Sequence, residues 1–172
     1  MNLHIGLLVP LTFIFGTISW RFLIATVFLE NFKEWPIKKL IMPFICIHLF
    51  RYISISLLIP GLTSIGKILP FNDVLRLALF DVACSILSML SLLFLHKKWK
   101  GAMIFVVLLN MVGLLDLLIA TLYDVPQFVA NVTTLDARLF AVLTTFIPLI
   151  FVSHVFMVQL LWKYFRNKNT FA

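Results

Sequence analysis

The sequence predicts an all-α, polytopic membrane bundle of about five transmembrane helices, with the N-terminus outside and the C-terminus in the cytoplasm. Three observations lead there. Hydrophobic residues make up 62% of the 172 positions and charged residues only 12%, about half the charged share of a soluble domain. The apolar residues fall into five runs, each near the roughly 20 residues a spanning helix needs. The basic residues gather in the breaks on one side of those runs. A water-soluble chain of this length has too little interior for so much apolar surface.

The first run covers about 4–29. It opens Met1-Asn2-Leu3-His4, with no positively charged region and no small-residue cleavage site, so it reads as a retained helix and not as a signal peptide. Glu30 to Lys39, with Trp35-Pro36, breaks the chain before a second run at 40–62 that ends on Pro60-Gly61. The third run, 74–95, follows Asp73 and closes on His96-Lys97-Lys98-Trp99-Lys100. The fourth, 101–123, stops at Asp124-Val125-Pro126, and the fifth, 138–162, begins after Asp136, a natural N-cap. These spans form a single domain over 1–172, without linker or low-complexity segment. The lack of an internal repeat argues against an inverted-repeat transporter.

Orientation follows from where the cations lie. The first and third breaks and the tail hold Lys33, Lys38, Lys39, Lys97, Lys98, Lys100, Lys163, Arg166 and Lys168, nine residues, against Lys67, Arg76 and Arg138 on the other side. Cytoplasmic loops carry the excess of Lys and Arg, which puts the N-terminus outside. Trp35, Trp99, Trp162 and Tyr164 stand at the same ends, as an aromatic belt does. The formal charge of +7 therefore belongs to loops facing a lipid bilayer and not to a nucleic-acid-binding face.

Ionisable groups inside a membrane are costly, so they face partners in the bundle interior and point to function. At 1.5 Å per residue, His48, Asn110 and His154 lie about 12–14 Å from the cytoplasmic helix ends, Arg51 about 16 Å, and Asp81 and Asp116 about 21–22 Å. His48 and Arg51, three apart, share a helix face. These six residues are the candidate ligand-binding set. Arg51 stands between two aspartates on one side and two histidines with an asparagine on the other, and the two rings are expected to line one cavity. Asp81, Cys84, Ser85 and Ser88 make an inward stripe at helical spacing. Gly113 lies between Asn110 and Asp116 and admits a close neighbour. Pro148 removes a ladder hydrogen bond and frees the carbonyl of Thr144. Arg21 reads as snorkelling toward the headgroups.

A purely structural role stands beside the functional one: Arg51 with Asp81 and Asp116 also makes an interhelical clamp, and the histidines also make hydrogen-bonding glue. No Lys sits inside a span, and no HExxH, GxSxG or Gly-rich phosphate loop occurs. No catalytic residue and no metal ligand set is assigned, no cofactor is identified, and the balance is against an enzyme.

Five segments, His48-Leu49-Phe50-Arg51-Tyr52, Leu58-Ile59-Pro60-Gly61, Phe80-Asp81, Asn110 to Leu117 and Ile147 to His154, occur in an order that resembles a group of small bacterial inner-membrane proteins. That group has an H-x-F-R segment ending in P-G, an N-x-x-G-x-x-D-L helix and a P-L-x-x-x-[ST]-H helix. The likeness covers about 43–162. The chain departs from it at Leu79-Phe80, where Tyr-Gly is usual. The resemblance implies residence in the cell inner membrane and a polar set that belongs together, but no activity. The residues thus point to a membrane module that binds a small ligand or relays protons. The alternative is a structural or assembly subunit, with a membrane-protein partner or a second copy beside it; a b-type haem protein held by the two histidines is a third reading.

Overall fold

A computed structural model of the chain describes residues 3–132 and 136–169, with side chains over 7–132 and 136–166. Thr133 of the Asn131-Val132-Thr133 glycosylation triplet, a motif of the loop before the fifth span, lies outside the described residues. Helix α1 runs Leu3–Leu23 and continues as a π-helical turn over Ile24–Leu29. Helix α2 combines Ile37–Leu40 and Met42–Leu49 with a 3₁₀ segment at Phe50–Leu58. Helix α3 is Phe71–His96. Helix α4 comprises Ala102–Ile119, a π turn at Ala120–Asp124 and Val125–Asn131. Helix α5 comprises Ala137–Ala141, a π turn at Val142–Phe146 and Ile147–Asn169. Each of the five is long and apolar enough to cross a membrane, as an integral membrane protein requires.

Local chemistry sets the joints. Pro60 and Gly61 occupy the middle of a turn closed by the Leu62 amide on the Ile59 carbonyl at 3.2 Å, with Gly61 at φ 78°. That is the turn geometry which favours Pro followed by Gly. Helix α3 ends in a Schellman motif: Trp99 N–H donates to Phe94 O at 3.0 Å and Lys98 N–H to Leu95 O at 3.1 Å, with Lys98 at φ 54°. Asp136 caps α5 by accepting from the Leu139 amide at 2.9 Å.

Two helices differ from the simple reading. Helix α4 does not stop at Val125-Pro126. The π turn before it takes up an extra residue, and Pro126 then occupies one of the first two positions of the α-helical stretch Val125–Asn131, where its fixed φ suits the helix. In α2 the α-helix gives way at Phe50, where Tyr52-Ile53-Ser54-Ile55-Ser56 alternates β-branched and serine residues that favour the α-helix weakly. Nine residues is long for a 3₁₀ helix, and such a stretch within a helix often marks a functional hinge or a sequence under strain.

Helices α2, α3, α4 and α5 form the bundle, and α1 lies outside against α5. The carbonyls loosened by the π turn and Pro148 serve that contact. Trp20 Nε1 donates to Thr145 O at 3.1 Å, and a Cβ on Gly16 would stand 2.5 Å from Thr144 O. One apolar cluster, with Phe44, Ile45, Val106 and Met157, fills the half of the bundle nearest Trp35 and Trp99. A second, with Ile65, Val74, Phe128 and Leu139, fills the opposite end. The charged residues lie between and beside them.

Candidate functional site

The 3₁₀ segment aligns residues three apart, so Arg51, Ser54 and Leu57 turn inward while Tyr52, Ile53 and Ile55 are exposed. Arg51 is thereby carried into the interior at 2% exposure. Its guanidinium forks between two helices: Nε donates to Asp81 on α3 and Nη2 to Asp116 on α4. The third direction, Nη1, faces His154 Nε2 on α5 at 3.5 Å.

The histidines continue the network. His154 Nδ1 is 2.8 Å from Asn110 Oδ1. A carbonyl oxygen only accepts, so Nδ1 carries the hydrogen and Nε2 offers its lone pair toward Arg51. Ser153 Oγ donates to Ile150 O at 2.7 Å and lies 2.8 Å from His48 Nε2. With the hydroxyl hydrogen spent on the carbonyl, His48 Nε2–H is the donor, and Nδ1 has no partner among the described residues. The two rings touch, centroids 4.2 Å apart and tilted by 42°, and neither has any exposed surface. They pack on each other and do not line an open cavity between them. Ser85 Oγ ties α3 to α2 at 3.3 Å from His48 O.

All six sequence-predicted residues, His48, Arg51, Asp81, Asn110, Asp116 and His154, therefore meet in one connected network drawn from four helices. Space for it comes from Gly113, where a Cβ would overlap Cε1 and Nε2 of His154 and stand 3.1 Å from Arg51 Nη1. Two carboxylates, Asp116 buried and Asp81 22% exposed, face one guanidinium, so the charges of the cluster sum to −1 unless a proton or another cation joins them. Burying unbalanced charge is expensive.

Sequence reasoning missed three contributors. Ser153 was read only as part of the segment before His154. Arg76 entered only as a cation at a helix start and Asp124 only as a break residue. Instead, Arg76 Nη2 pairs with Asp124 across α3 and α4, and Nη1 lies 3.3 Å from Asp73. The signal available was that both sit near the same end of neighbouring spans.

Bis-histidine haem ligation needs opposed ring nitrogens with a macrocycle between them. Two rings in van der Waals contact leave no such gap, so the residues do not fit a haem. Among the described residues, no group of three or more His, Cys, Asp or Glu is placed to hold a metal ion.

A family model described as a domain of unknown function, DUF8737, matches residues 8–162, and this coverage places the chain in that family. No curated protein and no solved structure matches the chain.

Proposed function

For this member of the DUF8737 family, we propose a proton-exchange role: a multi-pass protein of the bacterial inner membrane, N-terminus outside, whose Arg51 cluster takes up and releases a proton. The observation that carries it is the single guanidinium shared by Asp81 and Asp116. A proton on either carboxylate balances the charge of the cluster. Two carboxylates at one site share protons as a pair and not as independent groups. Neutral His154, backed by Asn110, faces the remaining guanidinium nitrogen, Nη1, so Arg51 keeps an acceptor on that side whichever carboxyl holds the proton. Because the four partners come from α2, α3, α4 and α5, proton uptake alters the clamp that holds those helices. Space favours a proton over a larger ligand, since the His154 ring and Arg51 already fill the room that Gly113 clears.

Infrared difference spectra across a pH titration test this. A protonated-carboxyl band that disappears in Asp116→Asn or Asp81→Asn supports uptake at the cluster. Its absence from the wild-type protein overturns it.

An assembly role is favoured by a different observation, the 11% burial of the apolar window of α1. A stoichiometric membrane-protein partner on purification, together with no carboxyl titration, supports that reading instead.

A further inference from the structure

We propose that Asp124, with Arg76 and Asp73, is the access point through which the Arg51 cluster exchanges protons with one side of the membrane only. That side is the one away from Trp35, Trp99 and Trp162, the outer side under the orientation proposed above. The inference rests on the proton-exchange reading of the cluster.

The pair is incompletely satisfied. Asp124 is 4% exposed, and Arg76 takes its Oδ1, yet among the described residues Oδ2 has no partner and the buried Arg76 Nε has none either. Buried polar atoms in this condition are where ordered water or a proton belongs. The pair also reaches the surface, because the Arg76 and Asp73 side chains are 32% and 22% exposed.

The π turn at Ala120–Asp124 brings Asp124 close to the α4 face that carries Asp116. In a regular α-helix, eight residues from Asp116 would land about 80° off its face. A π turn absorbs one residue, so the separation acts as about seven α-helical steps and ends about 20° from the face of Asp116. The two carboxylates then stack along α4 about 10 Å apart, a span that a short water chain bridges. A proton from bulk water neutralises the Asp124 carboxylate and is passed through water to the Asp116 carboxylate, which releases Asp124 for the next.

The other side of the cluster is closed. One helical turn beyond the histidines, toward the tryptophans, come Phe44 and Ile45 on α2, Val106 on α4 and Met157 on α5. Each is at most 2% exposed, and all belong to one apolar cluster. Ser88 and Ser91 on α3 spend their hydroxyls on their own helix, on Cys84 O and Leu87 O. The charged and titratable groups around Asp124 are Arg76 and Asp73 on α3 and Asp116 on α4. Around Asp116 they are Arg51 on α2 with Asp81 and Cys84 on α3. Beyond Arg51 lie His154 and His48.

The test measures both rate and extent of proton uptake by the full-length protein after a pH jump. Asp124→Asn is expected to slow uptake by roughly a hundredfold, the low end of what a positioned proton-transfer group contributes, with the final carboxyl amplitude unchanged. An unchanged rate with a normal amplitude overturns the access route and leaves the cluster reading standing. No carboxyl amplitude in the wild-type protein overturns both. A second measurement does not depend on kinetics. With Cys46 and Cys84 replaced by Ala, a charged, membrane-impermeant thiol reagent should modify Asp124→Cys from the side of the Pro60–Pro70 loop and leave Val106→Cys untouched from either side. Modification at 106, or none at 124, also overturns the route.

Discussion

Gly113 on α4 packs against Cε1 and Nε2 of the His154 ring on α5, and the contact leaves no room for a methyl group. Alanine is the better helix former by about 1 kcal/mol, but overpacking a filled interior costs about 1–3 kcal/mol. Gly113→Ala should therefore lower the thermal midpoint of the purified protein. Adding His154→Ala removes the obstacle, so the double variant should lose less than the two single losses summed. A Gly113→Ala protein as stable as wild type would show that the helices are not this close.

Arg51 and Asp116 form the buried half of the fork, with side chains at 2% and 8% exposure. Removing one member of such a pair leaves the other unpaired, at a cost of about 3–5 kcal/mol in soluble proteins. Arg51→Gln with Asp116→Asn should be less harmful than the worse single change in a chemical or thermal melt. Losses that simply add would mean the two residues are not coupled.

Asp136 is the charged group outside the spans with a distinct acid signature. Hydrogen bonds from the Leu139 and Ser64 amides, at 2.9 and 2.6 Å, hold its carboxyl down at about 2 from the usual 3.8. A carboxyl whose folded value is depressed adds stability above its ordinary value and loses it as pH falls through the folded one. Asp136→Asn should thus melt a few degrees below wild type at neutral pH. The gap should close between about pH 4 and pH 2, where the wild-type carboxyl also becomes neutral. A gap that persists at the lowest pH would assign the effect to something other than the charge.

The proposed orientation predicts that reporter fusions after Phe165 read as cytoplasmic and fusions within 127–132 as external. The warrant is the nine-to-three distribution of cations and the tryptophans at the same ends. The reverse pattern would invert the side assigned to the Asp124 access route without altering its geometry.

Much of the helical framework is readable from local properties. Apolar runs of spanning length, the Pro60-Gly61 turn and the Asp136 cap depend on residues close in sequence, whose preferences act before any tertiary contact forms. The break at Val125-Pro126 was misread because a proline stops a helix only if the preceding turn cannot adjust, and here a π turn adjusts it. The six polar residues were also identifiable one by one, because an ionisable side chain in a span must find a partner.

Which partner it finds is not a local property. His48 and His154 are 106 positions apart in the chain, yet their rings touch because α2 and α5 pack there and Gly113 clears the space. The Arg76–Asp124 pair joins α3 and α4 at the end of the π turn of α4, which shifts Asp124 round the helix. The peripheral place of α1 follows from the carbonyls of Thr144 and Thr145 meeting Gly16 and Trp20. By itself, the sequence determined that five helices exist and that certain polar groups could not be left to lipid. Only the tertiary structure decided the pairings, because hydrogen bonds and ion pairs are set by the distances and angles of packed helices, which depend on every side chain between them.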